Sequence, residues 1–253
     1  EALVGVGYKP ATLDKILREL KYADVSGALV EASAGFWVVQ EGLGEQTTDG
    51  MALVYADTAI KSVWTHHFTR CAKVSSRGRV MPAISTMYLH VGPGTPILFR
   101  SFSGTASLPA EIPALLREYE QIAGEGTVRR VVVIDREGAS VGFMKRLMAS
   151  GWHFVIPLRK SVTGPSARFE ELTEWSPYKD AGDEVQGGWL WLNDTNDRSN
   201  PLRVRVVARR RHRTGKVAWY ATTTDPVEVP DTTVIDRYFD RWPLQEHRFR
   251  DGN

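Results

Sequence analysis

The chain has 253 residues, 42% hydrophobic and 25% charged, with 32 Lys and Arg against 30 Asp and Glu. That size and balance suit one large domain, or a domain carrying an insertion, with enough core to need no covalent staples. The single cysteine, Cys71, excludes an intrachain disulfide and a multi-cysteine zinc cage, and a formal charge of +2 does not by itself establish a nucleic-acid partner.

No apolar run approaches the roughly 18 residues that span a bilayer, and no basic segment leads into an apolar one at the start. With one cysteine, a reducing, cytoplasmic setting is the expectation. The chain begins at Glu1 rather than methionine and stops at Asn253, which reads as a piece of a longer protein.

In chain order, residues 12–21 place Leu13, Ile16, Leu17 and Leu20 at helical spacing behind a Thr12 cap. A second helical stretch runs to about Gln40 and ends at Gly42-Leu43-Gly44, so residues 1–45 form a helical N-terminal segment. Residues 51–57, Met-Ala-Leu-Val-Tyr-Ala-Asp, are apolar on both faces, as in a strand at the middle of a sheet. Residues 84–91 and 96–102 predict two more strands, separated by Gly92-Pro93-Gly94. Ile112, Leu115, Leu116, Tyr119 and Ile122 mark an amphipathic helix. Residues 131–134 are a buried strand closed by Asp135. Val141, Met144, Leu147 and Met148 predict a helix stopped by Gly151, and residues 153–158 the next strand.

Strand–helix alternation after an opening meander predicts an α/β fold, a mixed sheet covered by helices. Its first part occupies residues 46–160. The texture then changes: residues 189–192, 202–209 and 216–223 predict strands joined by Asn, Asp, Ser and Gly turns, a β-rich insertion over 161–230. A last helix follows over 231–253.

Three carboxylates carry the chemistry. Asp57 and Asp135 each close a short apolar strand, where sheets with parallel strands gather ligands. If the strands are neighbours, the two side chains meet at the rim, and such a pair favours a shared proton or a bound cation. Hard cations such as Mg²⁺ take oxygen ligands, and two of them about 4 Å apart can clamp both oxygens of a phosphodiester displacement. The third carboxylate is Glu246, on the last helix. A lone aspartate after a strand also serves as a turn former or helix cap, and Asp135-Arg136-Glu137-Gly138 fits that reading.

The order Asp57, Asp135, Glu246, in strand, strand and helix contexts, resembles the DDE transposases of bacterial insertion sequences, which have a ribonuclease H-like catalytic core. Gly94-Thr95-Pro96-Ile97-Leu98-Phe99 with Phe102-Ser103-Gly104, and the block from Gly151 to Lys160, are similar to family segments after the first and around the second aspartate. Tyr238, Arg241 and Glu246 resemble the Tyr–Arg–Glu signature of the subgroup with a β-rich insertion. The resemblance runs from about Thr12 to the end. It implies a ribonuclease H-like fold, metal-dependent DNA cleavage and strand transfer at insertion-sequence ends, and Asp57, Asp135 and Glu246 as ligands of two catalytic ions, Mg²⁺ or Mn²⁺. It further implies Tyr238 and Arg241 beside a DNA phosphate, a homodimer on transposon-end and target DNA, and a nucleoid-associated place in a bacterial cytoplasm. The chain departs from the subgroup in having four residues between Arg241 and Glu246. On an unbroken helix Gln245 would then share the face of Tyr238 and Arg241, and Pro243 offers a kink or restart that resets the phase. Asn253 stands where the family often has a lysine.

Residues 201–213 contain Arg203, Arg205, Arg209, Arg210, Arg211 and Arg213 and no acid. Alternation with Val204 and Val206 would put Arg203 and Arg205 on one side of a strand, suited to phosphate contacts or to a charge-protected edge. Residues 70–79, a loop with Lys73 and Arg77, form a second basic patch. Trp189, Trp191 and Trp219 either pack the insertion or stack on an unpaired base. Gly5-Val6-Gly7 lacks the rest of a dinucleotide fingerprint. His66-His67 would point to opposite faces of a strand, and His247 reads as a surface residue. Two further readings stay open: a structure-specific nuclease on the same core, and an inactive, repurposed DNA-binding protein.

Overall fold

Among the described residues twelve strands form one sheet, and the chain enters it after two helices. The computed structural model describes residues 10–23, 25–40, 47–48, 50–64, 69–91, 95–124, 129–179, 182–194 and 199–250, with backbone alone at 10, 13, 26, 39–40, 47–48 and 241–250. Helices α1 (Pro10–Tyr22) and α2 (Ser26–Gly35) come first, α2 continuing as a π-turn over Phe36–Gln40. Strands β1 (Thr47–Thr48), β2 (Met51–Ser62), β3 (Cys71–Val74), β4 (Arg79–Val91) and β5 (Thr95–Ser103) follow. Then come α3 (Leu108–Ala123), β6 (Arg129–Ile134), α4 (Val141–Ala149) and β7 (His153–Pro157). Strands β8 (Arg168–Glu170), β9 (Ser176–Tyr178), β10 (Asp183–Leu192), β11 (Leu202–Arg210) and β12 (Val217–Thr222) lead to α5 (Asp231–Arg250).

The main path of the sheet is β3-β4-β2-β6-β7-β12-β11-β10-β8, with β5 beside β4, β1 beside β2 and β9 beside β10. Strand β2 is antiparallel to β4 and parallel to β6, and β6 is parallel to β7. From β7 onward every pairing is antiparallel. The strands of the 161–230 region thus continue the same sheet, joined through β7 and β12.

Alternation along the central strands separates two apolar layers, because successive side chains point to opposite faces. Val54, Ala56, Val132 and Ile134 join Ala34, Leu115, Phe143 and Met144 in the layer beneath α2, α3 and α4. Met51, Tyr55, Val131, Val133 and Val155 join Val234, Ile235 and Tyr238 of α5 in the other. Helix α3 holds Pro113, which has no N–H to give to Pro109 four residues back. Arg146 of α4 donates to that carbonyl instead, at 3.0 Å, tying the two helices together.

Four expectations change. Thr12 lies inside α1, which starts at Pro10. Residues 70–79 are a hairpin rather than a loop: β3 pairs with β4 around the turn Ser75–Arg77, with Gly78 at φ +64°. Strand β2 runs past Asp57 to Ser62, so Asp57 sits mid-strand. Helix α5 is one continuous element through Pro243, without the restart that residue allows.

Candidate active site and nucleic-acid contacts

The last registered pair between β2 and β6 is Ala56 with Ile134, and the next residue on each strand is Asp57 and Asp135. Parallel neighbours lie about 4.8 Å apart, and residues at matching register share a face. Asp57 follows Tyr55 by two residues and Asp135 follows Val133 by two, so both carboxylates take the face that α5 covers. The fold therefore brings together the two aspartates that stand 78 residues apart in the sequence.

Each also has a local partner. Asp57 Oδ1 accepts the Thr58 N–H at 2.8 Å, and Asp135 Oδ1 accepts the Arg136 N–H at 2.5 Å, capping the single turn Arg136–Gly138. The capping reading of Asp135 is thus physically true as well, yet one N–H leaves most of a carboxylate's acceptor capacity open.

Glu137 is the residue that sequence reasoning missed, because it sits in that turn with no pattern to mark it. Partial burial first, then the charges of Asp135 and Asp57, raise its pKa above the ordinary 4.5, with Arg159 pulling the other way. Glu137 thus lies within electrostatic reach of Asp57 on β2 and of Asp135 just past β6, with Arg159 beyond the end of β7. Among the described residues no three His, Cys, Asp or Glu side chains converge closely enough to enclose a metal ion. Tyr88 of β4 pairs with Asp57 of β2, and its ring lies 6.1 Å from that of Phe99 on β5, so an aromatic surface borders the aspartate.

Of the last helix, Tyr238 is 8% exposed and packs on Tyr220 of β12, ring centroids 4.8 Å apart. Arg241 and Glu246 fall on the α5 backbone, and their side chains lie outside the described residues. So do His247, His66-His67 and Gly5-Val6-Gly7.

The arginine stripe is where the structure departs most from expectation. Arg205 is 3% exposed and bonded to Asp231 at 2.6 Å, so it faces α5 rather than a phosphate. Arg203 pairs with Glu170 and Glu171 and covers the Trp189 ring at 4.3 Å. Arg209 pairs with Asp183, and Arg210 with Glu184. The acids come from neighbouring strands and α5, which is why a window of 201–213 reads as uncompensated. Arg211 and Arg213 are exposed, as are Lys73 and Arg77 on the β3–β4 hairpin. Trp219 packs against the core beside Phe169 at 4.4 Å, and Trp191 lies under the Arg168 guanidinium at 5.3 Å.

No family model matches the chain, and no curated protein matches it. Among solved structures, a piggyBac transposase synaptic complex with hairpin DNA is similar at a TM-score of 0.43 and 10% identity. The likeness covers 88% of this chain and 46% of that one, so the chain spans less than half of that protein's length. A likeness so loose says nothing about chemistry, and the functional reading rests on this chain's own residues. No helix among the described residues is long and apolar enough to cross a membrane.

Proposed function

We propose that the chain is the catalytic part of a DNA transposase, built on a ribonuclease H-like core, that cleaves DNA at insertion-sequence ends and joins the freed strand to target DNA. One observation carries the reading: Asp57 and Asp135 occupy adjacent register positions on parallel β2 and β6, on the face beneath the helix that bears Glu246. Strand order β5-β4-β2-β6-β7, with the first three antiparallel and the last three parallel, supports the core assignment.

The donor chemistry fits a hard divalent cation. Asp57 and Asp135 offer only oxygen, and after burial their charges contribute to raising the pKa of Glu137 nearby. A bound pair of Mg²⁺ or Mn²⁺ ions would supply Lewis acidity and lower the pKa of a bound water. Asp57 and Asp135 would hold them, with Glu246 as the third ligand. Tyr238 and Arg241 would orient the DNA phosphate. Water would be the first nucleophile at the transposon end, and the released 3′ hydroxyl the second, attacking target DNA. A homodimer would bring two ends together.

The test incubates the protein with a plasmid carrying the element's terminal DNA and Mg²⁺ or Mn²⁺, and follows nicking and joining on gels. Asp57→Asn and Asp135→Asn should each reduce both steps to background, as should EDTA. Cleavage without joining would assign a nuclease instead. Cleavage that survives Asp57→Asn would remove the proposal.

A further inference from the structure

Along β8 to β12 most arginines pair with an acid: Arg168 and Arg203 with Glu170, Arg205 with Asp231, Arg209 with Asp183, Arg210 with Glu184. One place breaks that pattern. A cavity of about 260 Å³ between the end of β7, the β11–β12 hairpin and α5 is lined by Lys160, Arg209, Arg211, Lys216, Tyr220 and Phe239. Lys160, Arg211 and Lys216 are exposed and in no ion pair among the described residues. The hairpin turn sets Arg211 against Lys216, the Arg211 N–H donating to the Lys216 carbonyl at 3.0 Å. Arg209 is fixed beneath them, bonded to Asp183 at 2.8 Å with its guanidinium 4.5 Å from the centre of the Phe239 ring.

Lys160, Arg211 and Lys216 border one concavity above an Arg209 already paired with Asp183, whose charge also acts on Arg211, and an anion seated among the three relieves their remaining repulsion. No phenolate competes for them: burial, chiefly, pushes the Tyr220 hydroxyl far above its ordinary value, so it stays a neutral O–H. The aromatic wall of Tyr220 and Phe239 lowers the local dielectric, which strengthens the pull on an anion. Position then narrows the ligand. Tyr220 pairs with Pro157, and Val133 pairs with Val155, so Tyr220 lies in the sheet row of Asp135 two strands away. At about 4.8 Å per strand, the cavity floor is on the order of 10 Å from Asp135.

We infer that this cavity is a phosphate-binding site that holds the backbone of the same nucleic-acid strand whose reacting phosphodiester lies at Asp57 and Asp135. The inference rests on the proposed phosphodiester chemistry for its choice of ligand. Arg209 and Arg211 come from the arginine stripe, but two of its cations do not: Lys160 follows the end of β7, and Lys216 comes from the far side of the hairpin.

The experiment measures binding of a fluorescein-labelled oligothymidylate to the full chain in EDTA, across a salt titration. Arg211→Ala with Lys216→Ala should weaken binding about tenfold and flatten the salt dependence by roughly 0.7 per cation removed. Both residues are exposed, so the thermal midpoint should not move. Inorganic phosphate and thymidine monophosphate, added as competitors, should displace the oligonucleotide from the wild type and lose that ability on the double variant. Equal affinity and equal salt slope in the double variant would overturn the inference. So would competition by free phosphate in a protein whose DNA affinity ignores Arg211 and Lys216, since the cavity would then serve a small anion. The catalytic reading is tested by Asp57→Asn in the separate nicking assay with metal, whereas binding here is measured in EDTA, so the cavity and the catalytic reading fail independently.

Discussion

Arg205 separates a structural arginine from a DNA-binding one, and its partner Asp231 supplies the measurement. The guanidinium is buried and donates to Asp231 at 2.6 Å, to the Thr224 carbonyl at 3.0 Å and to the Val229 carbonyl at 2.9 Å. Asp231→Ala strands that charge. Breaking a buried pair costs about 3–5 kcal/mol. Two carbonyl acceptors remain and the Asp231 side chain is 26% exposed, so the lower end, about 3 kcal/mol, applies here. With a urea slope near 3 kcal/mol/M, the unfolding midpoint should fall by about 1 M. Arg205→Met should cost less, about 2 kcal/mol, because Asp231 can turn to water while the carbonyls lose their donor. The double variant should cost less than the two combined, with a coupling of about 1–2 kcal/mol. Tryptophan fluorescence in urea reads all four proteins, and oligonucleotide binding is measured alongside. An unmoved midpoint for Arg205→Met, together with weakened DNA binding, would refute the structural assignment and restore the phosphate role.

Other outcomes follow from the same contacts. Gly187→Ala would set a methyl group 2.8 Å from Asp231 Oδ1, forcing the start of α5 outward at a cost of about 1–3 kcal/mol. The cost should shrink in the Asp231→Ala background, and a urea-derived cycle checks it. Asp57→Asn should leave the thermal midpoint unchanged or raised, since it removes one of the charges acting on Glu137; a clear fall would make Asp57 a structural residue. Asp183 accepts the His212 N–H at 2.9 Å and pairs with Arg209, which together hold its carboxyl below the ordinary 3.8. A depressed carboxyl stabilises the fold above its unfolded pKa and loses that effect as pH falls through its folded value. The stability gap between wild type and Asp183→Asn should therefore be flat from neutral pH to about pH 4 and close below it. Acid-titrated urea melts read it, and a gap that stays constant through that acid range refutes the pairing.

The central strands were legible because they are apolar on both faces: residues 51–57 and 131–134 read as strands inside a sheet, and β2 and β6 cover them. Helix α3 was legible from Ile112, Leu115, Leu116 and Tyr119, all buried in the structure. Strands β3, β8 and β9 were not, since each is four residues or fewer, too short for alternation to register. The side of β11 was the deeper failure. Alternation correctly put Arg203 and Arg205 on one side, but a strand's own sequence cannot tell whether that side meets water or a helix. The answer lay in Asp231, 26 residues on, and in Gly187, whose missing side chain makes room for it. For Glu137 the failure was one of range. Its neighbours in space are Asp135 and Asp57, and only the pairing of β2 with β6 brings the second within reach.

Helix α5 joins these threads, because both halves of the sheet fix its placement. Its first residue is held by Arg205 of β11 and fits against Gly187 of β10, in the 161–230 region. Two turns later the buried Arg237 reaches the Met51 sulfur at the start of β2, and Tyr238 packs on Tyr220 of β12. A helix pinned at one end alone would pivot. Pinned at β10–β11 and again over β2 and β12, it has a defined axis, which its later turns, with Arg241 and Glu246, must follow as far as the helix stays straight. The strands added beyond β7 thus do more than enlarge the sheet. They supply the anchor that sets the axis of the last helix over the sheet face that Asp57 and Asp135 share, so a change at Gly187 should reach that face through α5 with no contact of its own.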